Sequence, residues 1–280
     1  MPRGIAHVVS LPWQALEAGF CRHPEISTRR DGGWKSCDFP ALVFLVEHPE
    51  YGYLLFDTGY SGHFLAATRP FPERLYVCVT PVTLRAGGSV REQLMSRGID
   101  AAGIRHVFIS HFHGDHVGGL PDFPAARIYC AREAWDDLTR RSRWSRVRNG
   151  LLRELAPAEL APRLTFFEDL PALQLAAELT PFDSGRDLFG DGTLAAIALP
   201  GHAAGHWGLS FYDGKRRVFL LGDAAWSSDA LRAGHPPPRL TTSWLGDTAG
   251  YRQTFDALHR IAVERPDVLL VPSHCSEFRP

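Results

Sequence analysis

Six consecutive residues carry most of the side chains needed to bind two metal ions. They read His-Phe-His-Gly-Asp-His and run from His111 to His116. Imidazole and carboxylate groups are preferred ligands of first-row divalent metals, and packing alone rarely requires them at such density. Side chains two apart point to the same side of a strand, so His111 and His113 can converge on one ion. Gly114 then lets the chain turn, which frees Asp115 and His116 to face a second ion.

Three further strand-like runs each end in a potential ligand. The potential ligands are His202 after residues 194–199, Asp223 after residues 218–221, and His274 after residues 268–271. A single histidine after a strand is more often structural than a ligand. Residues just beyond the carboxyl ends of strands are, however, where the sites of α/β proteins gather. Four strand ends that each deliver a histidine or an aspartate therefore predict one common site.

The elements that must position these residues are strands alternating with helices. Strand-like runs occupy residues 41–47, 53–56, 107–110, 127–130, 194–199, 209–212, 218–221 and 268–271. A capping box at Ser89 and Glu92 predicts a short helix that stops near Gly98. A second helix is predicted over residues 248–264, with an apolar face repeating every three to four positions. This alternation predicts a mixed α/β layered fold.

Length and charge exclude several classes of function. The chain has 280 residues and a formal net charge of −1, so we expect a single domain over residues 1–280 without a basic field for nucleic acid or membrane. Lys35 and Lys215 are the only lysines, and this preference for arginine favours a GC-rich bacterial genome. Five scattered cysteines and the absence of an 18-residue apolar run predict a cytoplasmic protein with free thiols.

Two segments fit the alternation poorly and are candidates to cover the site. Residues 132–161 are rich in arginine and read as helical, whereas residues 224–246 read as a loop containing Pro236-Pro237-Pro238. The arginines between 140 and 148 could bind an anionic substrate group, but a solvated helix face is the preferred interpretation. Aromatic residues of the second segment, such as Trp244, could line an apolar pocket or simply pack.

The ligand pattern as a whole resembles the metallo-β-lactamase superfamily. The resemblance covers roughly residues 41–274 and includes the triplet Asp57-Thr58-Gly59 after an early strand. It implies an αββα sandwich, with two mixed β-sheets flanked by helices and the metals at one edge. It also implies that His111, His113 and His202 hold the first ion, that Asp115, His116 and His274 hold the second, and that Asp223 bridges the two.

The resemblance also implies roles for residues around the ligands. Asp57 is expected to accept a hydrogen bond from a ligand imidazole and so to fix its orientation. His206, four residues after His202, either gives similar support or is a polar loop residue. The bridging Asp223 argues against a true β-lactamase, and the short stretch after His274 argues against a thioesterase of the glyoxalase II type.

Within the superfamily the chain is most similar to N-acyl-homoserine-lactone lactonases. The shared motifs are Asp57-Thr58-Gly59-Tyr60 and the run from His111 to Gly119. Those lactonases usually place a tyrosine three residues after the bridging aspartate, where it helps to hold the carbonyl oxygen. This chain has Trp226 there, whose indole N–H can donate one hydrogen bond but cannot release a proton. We expect Trp226 either to support a ligand or to contact the substrate, and the substrate or its pose to differ from that of those lactonases.

We therefore expect a dinuclear metallohydrolase that opens a lactone or cleaves another carboxylic ester with a metal-bridging hydroxide. Asp115 would pass a proton to the leaving alkoxide, and Asp223 would join the ions. The metals would be two divalent ions, zinc by default, with iron, manganese or cobalt as alternatives. The partner would be a small molecule with an ester or lactone carbonyl, while the oligomeric state is left open. The alternatives are a thioester-cleaving or iron-dependent redox member, or a slow-turnover regulatory or binding protein on the same fold.

Overall fold

Two mixed β-sheets packed face to face form the centre of the protein. The structure, a computed structural model, describes residues 9–280, and the side chains of Trp244 and Leu245 lie outside the described part. The first sheet contains β1 (Trp13–Pro24), β2 (Ser36–His48), β3 (Gly52–Phe56), β4 (Val82–Thr83), β5 (His106–Phe108), β6 (Arg127–Cys130) and β7 (Leu164–Phe166). The second contains β8 (Ala172–Gln174), β9 (Ser184–Asp187), β10 (Ala195–Ala198), β11 (Trp207–Tyr212), β12 (Arg217–Gly222) and β13 (Val268–Pro272).

The order of the strands shows that both sheets combine parallel and antiparallel pairs. The first sheet runs β4-β1-β2-β3-β5-β6-β7, and its strands from β3 to β7 pair in parallel. The second sheet runs β13-β12-β11-β10-β9-β8, and only the β12–β13 pair among these described strands is parallel. Parallel neighbours bring their carboxyl ends to the same edge, which is where the candidate ligands follow.

Helices flank the two sheets. They are α1 (Gly62–Ala67), α2 (Arg74–Val79), α3 (Val90–Ser96), α4 (Gly114–Val117), α5 (Arg132–Arg140), α6 (Arg143–Arg148), α7 (Ser228–Arg232), α8 (Arg239–Leu245) and α9 (Thr248–Glu264). Along β12, Val218 and Leu220 join the core between the sheets, whereas Phe219 and Leu221 pack with residues of α9. This period-two alternation buries both faces of the strand and confirms the predicted αββα sandwich.

The strongest sequence patterns are confirmed. Each of the eight predicted runs overlaps a strand, and the run over residues 127–130 coincides with β6. The capping box of α3 forms as predicted, because Ser89 Oγ accepts from the Glu92 N–H and Glu92 Oε2 accepts from the Ser89 N–H. The predicted helix over residues 248–264 coincides with α9, and none of the helices in the described chain is both long and apolar enough to cross a membrane.

Five strands were not predicted, of which β1 is the longest. Its pairing with β2 shifts register between Glu17 and Phe20, and Gly19 there has a φ of 83°. Such a bulge breaks the period-two pattern that identifies a strand in sequence. The other four strands, β4, β7, β8 and β9, contain only two to four residues each.

Each of the two candidate covering segments contains two helices. The helical interpretation of residues 132–161 is confirmed by α5 and α6. The loop interpretation of residues 224–246 is wrong, because the segment forms α7 and α8 on either side of the proline cluster. Ser227 begins α7 by accepting from the Ala230 N–H, while Pro238 occupies the N-cap of α8. Proline restricts the backbone in a way that suits the start of a helix, so the cluster separates two helices.

Candidate metal centre

The seven predicted ligands come together at one edge of the sandwich. His111 follows β5, whereas His202, Asp223 and His274 lie at or beyond the ends of strands of the second sheet. Three groups have ligand atoms within 4.8 Å of one another: His111 with His113 and His202, His111 with His116 and Asp223, and Asp115 with His116 and His274. The first and third groups are the two predicted ligand triads. The second joins residues of both triads through Asp223.

Gly114 contributes to this geometry in a different way from the expected one. It begins α4 rather than a turn with positive φ. A Cβ atom there would lie 2.7 Å from the Phe64 ring, so only glycine allows the short helix to pack this closely. Asp115 and His116 are thereby placed on the first turn of α4.

Asp223 divides its two carboxylate oxygens between the ligand groups. Its Oδ1 lies 3.2 Å from Nε2 of both His116 and His274. Its Oδ2 lies 3.2 Å from Nε2 of His202, which in turn is 3.1 Å from Nδ1 of His113. A carboxylate in this position can offer one oxygen to each of two ions.

Three ligand imidazoles are held from behind through their outer nitrogens. Nδ1 of His111 lies 3.0 Å from Ser110 Oγ, Nδ1 of His116 lies 2.7 Å from Asp57 Oδ2, and Nδ1 of His274 lies 2.7 Å from the Pro40 carbonyl. A carbonyl or carboxylate oxygen can only accept, so the Nδ1 atoms of His116 and His274 carry the hydrogen. Their Nε2 atoms, with lone pairs, then face the centre of the site.

Several buried atoms at the centre have no hydrogen-bond partner. They are Nε2 of His111, Nε2 of His116 and Oδ1 of Asp223. Buried polar atoms are nearly always paired, because an unpaired one costs about 1–3 kcal/mol. Lone pairs of nitrogen and oxygen that converge without donors between them match the requirements of divalent metal ions. The residues present therefore fit the two ions that the sequence predicts.

Asp57 connects Ser110 and the ligand His116 through buried hydrogen bonds. Its carboxylate accepts hydrogen bonds from the Ser110 N–H (2.8 Å), the Ser110 hydroxyl (2.8 Å) and Nδ1 of His116 (2.7 Å). Its backbone has a φ of 62°, a region that aspartate tolerates better than most residues. Burial raises the pKa of Asp57, although His116 and Ser110 oppose this shift. The geometry is the one expected from the sequence.

His206 lies directly behind Asp223. Its Nδ1 donates to the Leu199 carbonyl at 3.1 Å, and its Nε2 accepts from the Asp223 backbone N–H at 3.0 Å. Burial lowers the pKa of His206 to about 3, so the ring stays neutral and can accept this hydrogen. Gly222, with a φ of 55°, leaves space for the ring, because a Cβ there would lie 2.7 Å from Nε2. These contacts favour the supporting role over the polar-loop interpretation.

Trp226 directs its N–H to the carboxylate of a predicted ligand. The indole Nε1 donates to Oδ2 of Asp223 at 2.9 Å, within a buried contact. This contact agrees with the expected supporting role at a ligand, while a contact with the substrate stays a prediction. The carboxylate is a stronger acceptor than a carbonyl, and it lies within reach only three residues earlier in the chain.

The pKa values of the two ligand groups shift in different directions, because the carboxylates act mainly on the second group. Burial lowers the pKa values of His111, His113 and His202, and neighbouring histidines add to this effect for His111. Burial also disfavours the charged form of His116, but Asp223, Asp57 and Asp115 together raise its pKa well above the usual value. The first group is thus neutral and ready to bind an ion, whereas the carboxylates around His116 favour positive charge at the second group, which a divalent ion can supply.

Residues of the unpredicted strand β1 also interact electrostatically with the site. Burial lowers the pKa of His23, and Asp115 opposes this shift, which places the ring near the second ligand group. Cys21, two residues earlier, lies beside the buried Tyr60, whose pKa is raised by burial and then by Asp115. The alternation of polar and apolar residues along β1 could have revealed these residues in the sequence, but the bulge at Gly19 obscures it.

Both candidate covering segments touch the ligand loops. Residues 132–161 pair with the site where the Gly114 N–H donates to the Gly150 carbonyl and His113 bridges to Leu151. Residues 224–246 begin beside Asp223 and end beside the His202 loop, where the Asp247 N–H donates to the Gly201 carbonyl at 2.8 Å. Trp244, one of the residues expected to line a pocket, has its side chain outside the described part.

The arginines of α5 and α6 are engaged by nearby acceptors. Arg140 and Arg141 pair with Asp136 and Asp137 one turn earlier, and Arg143 forms two hydrogen bonds to Glu73. These local ion pairs support the preferred interpretation of a solvated helix face over an anion-binding site.

Comparison with known proteins places this site in a family. The family model described as the metallo-beta-lactamase superfamily matches residues 38–274. Among curated proteins, the chain is 28% identical over 246 residues to the N-acyl homoserine lactonase AttM of Azorhizobium caulinodans, covering 87% of this chain and 84% of that protein. The same protein of Agrobacterium fabrum matches with the same identity and coverage.

Solved structures agree with the sequence comparisons at the level of the fold. An N-acyl homoserine lactone hydrolase with N-hexanoyl-L-homoserine bound at its catalytic metal centre has a TM-score of 0.71 and 18% identity, covering 96% of this chain and 95% of that one. The dizinc quorum-quenching lactonase AidC has a TM-score of 0.62 and 18% identity, covering 96% and 89%. With the ligand groups, the strand order and the family match in agreement, the chain belongs to the metallo-β-lactamase superfamily.

Proposed function

We infer that the protein is a dinuclear metal-dependent hydrolase that opens a lactone, with N-acyl homoserine lactones as the first substrates to test. The observation that carries this proposal is the division of the Asp223 oxygens between two ligand groups. The similarity to N-acyl homoserine lactonases over most of both chains supports the choice of substrate class. Zinc is the proposed metal, because the ligand set is rich in histidine and a similar structure is that of a dizinc lactonase.

The residues of the site have distinct parts in such a reaction. When bound, two divalent ions supply Lewis acidity and lower the pKa of water to about 7, so that a nucleophile exists at neutral pH. His111, His113 and His202 would hold one ion, Asp115, His116 and His274 the other, and Asp223 would join them. Asp115 keeps 13% of its side chain exposed, and its Oδ2 lies 3.4 Å from His274 Nε2. Its proposed role is to pass a proton to the leaving oxygen.

The surroundings of the site complete the proposal. We place residues 1–280 in one domain, in which residues 132–161 and 224–246 cover the metals and line the substrate pocket. The hydrogen bond between Gly114 and Gly150 and the close approach of Gly246 to the Gly201 carbonyl support this role. A cytoplasmic location is part of the same proposal and is supported by five free cysteines.

A substrate panel with metal analysis tests the proposal. The protein is loaded with Zn²⁺ and assayed with N-hexanoyl-homoserine lactone, an aryl ester and a thioester, and the acid released is measured. We expect turnover of the lactone above that of the other two. Asp223→Ala should lower kcat at least ~100-fold, the order seen when an important electrostatic group is removed. Preference for the thioester, or redox activity with iron, would favour another branch. Two bound metals without turnover would point to a binding protein.

A further inference from the structure

The carboxylate of Asp223 accepts a hydrogen bond from a residue that is not part of the ligand pattern. Trp226 Nε1 lies 2.9 Å from Oδ2 of Asp223, and the contact is buried. The same oxygen faces His202 at 3.2 Å, so one lone pair meets the indole while the other points to the first ligand group. Hydrogen bonds to an ionised acceptor are about twice as strong as those between neutral groups.

The indole is fixed in this orientation from both sides. Its ring lies 5.6 Å from that of His202, edge to face, and 6.2 Å from that of Tyr251. Trp226 itself is 8% exposed, and Ala224 and Ala225 before it are fully buried. Since tryptophan has a single N–H, a ring held in this place cannot serve Asp223 and a substrate at the same time.

We propose that Trp226 is a positioning residue for the bridging carboxylate and not a substrate-binding residue. It orients Oδ2 towards the first ligand group, while His206 holds the backbone N–H of the same aspartate. In this chain, Trp226 therefore affects the reaction by orienting Asp223 at the metal ions and not by contacting the substrate. This inference rests on the proposed dinuclear centre, but it does not depend on which ester is the substrate.

Phenylalanine at this position keeps an aromatic ring but removes the donor. The carboxylate of Asp223 then loses its charge-assisted hydrogen bond and becomes free to rotate away from the first ligand group. Removing an outer hydrogen bond to a metal ligand typically costs 10–100-fold in metal affinity or activity. We expect Trp226→Phe to weaken the binding of Co²⁺ by about 10-fold or more and to change the visible spectrum of the bound ions.

The test is a Co²⁺ titration of metal-free wild-type and Trp226→Phe protein, followed by absorbance and by calorimetry without any substrate. Trp13→Phe is the matched control, because the indole of Trp13 hydrogen-bonds Asp213 outside the metal centre. The control should titrate like the wild type. Equal affinity and an equal spectrum for Trp226→Phe and wild type would overturn the inference. A wild type that binds fewer than two ions would contradict the dinuclear centre itself.

Kinetics separate the positioning role from substrate binding. If Trp226 acts through the bridge, Trp226→Phe lowers kcat of the Co²⁺-loaded enzyme by about 10-fold or more and leaves KM near the wild-type value. A raised KM with unchanged kcat and an unchanged Co²⁺ titration would show instead that the N–H binds substrate, and this would overturn the inference.

A coupling measurement covers the case in which Trp226→Phe folds but is less stable than the wild type. Urea unfolding of metal-free Trp226→Phe, Asp223→Ala and the double variant gives the interaction between the two side chains directly. The double variant should be less destabilised than the sum of the single ones, because each removes the same bond. Strict additivity would show that the two residues do not interact in solution and would overturn the inference.

Discussion

Single side chains around the metal centre act through the atoms that face away from it. His111, His116 and His274 each have an outer partner at 2.7–3.0 Å, and this partner decides which ring nitrogen is left for an ion. Asp57 serves two of these rings, His116 directly and His111 through Ser110. A change at Asp57 should therefore affect both ligand groups without removing any ligand.

Asp57→Asn tests this connection. An asparagine keeps the size of the side chain and tolerates the positive φ, but its NH₂ group would face one of the three donors that the carboxylate now accepts. We expect the dissociation constant for metal to rise by about 10–100-fold. Metal titration measures it, with Asp38→Asn, which breaks the exposed pair with Arg22, as the control. Unchanged affinity would mean that His116 is oriented by other contacts.

His106 gives a residue-scale prediction about pH. Burial lowers its pKa to about 4, and Arg127 and Arg105 add to the effect. Below about pH 6.5 the unfolded chain binds this proton, whereas the folded protein keeps the ring neutral until about pH 4. Stability is therefore lost as the pH falls through this window, by less than about 1 kcal/mol per pH unit because the ring is only half buried.

Urea unfolding of the metal-free protein at pH 7.5 and pH 5.0 measures this loss. His106→Gln can still meet the Tyr129 hydroxyl, which lies 3.1 Å from His106 Nδ1, but it cannot take up the proton. The variant should lose less stability than the wild type between the two pH values. Equal losses would show that other buried histidines account for the whole effect.

At the scale of elements, the loop that carries His202 depends on how closely it meets α9. Gly201 has a φ of 126°, and a Cβ atom on it would overlap the backbone of Tyr251 in the first turn of the helix. The Asp247 N–H and the Thr254 hydroxyl also donate to carbonyls of this loop. The helix α9 thus fixes the position of the ligand His202, although α9 itself contributes no ligand.

Gly201→Ala should force this loop away from α9. A strained backbone costs about 1–3 kcal/mol, and the overlap adds to it, so we expect stability to fall by at least about 2 kcal/mol, with loss of metal from the first ligand group. Gly62→Ala is the control, because a Cβ there meets nothing within 4 Å. Thermal unfolding and metal analysis check both variants. A stable, fully loaded Gly201→Ala protein would show that the loop has other positions available.

The sequence predicted the elements whose pattern is carried by their own side chains. The helix α9 has buried Tyr251, Phe255, Leu258 and Ile261 on one face, so its period is visible and both bounds agree. The bulge in β1 hides its alternation, and the prolines between α7 and α8 imitate a loop. Ligand types and spacing predicted which residues meet, but the direction of the Trp226 N–H depends on tertiary packing, which spacing does not encode.

At the scale of the whole molecule, the metal centre joins the two sheets. His111, His113, Asp115 and His116 follow β5 of the first sheet, whereas His202, Asp223 and His274 follow strands of the second. Each ligand group contains residues from both sheets. Bound metal should therefore stabilise the packing of one sheet on the other as well as the site.

We predict two bound ions per chain and a marked rise in stability when they bind. Elemental analysis of protein incubated with excess Zn²⁺ gives the stoichiometry. Thermal unfolding with and without a chelator gives the stabilisation, expected to be at least about 4 kcal/mol when free zinc exceeds its dissociation constant about 1,000-fold. Asp223→Ala is the comparison, and its gain should be smaller. One tightly held ion in the wild type would contradict the bridged pair.

The hydrogen bond from His274 to the Pro40 carbonyl also has a consequence for the order of events during synthesis. The two residues are 234 positions apart, so the ribosome adds almost the whole sandwich after making one partner and before making the other. His111, His113, Asp115 and His116 are available much earlier. The nascent chain can thus hold an ion loosely at these residues, but the second ligand group closes only when β13 has joined the sheet. We therefore expect the second ion to bind only after the two sheets have formed.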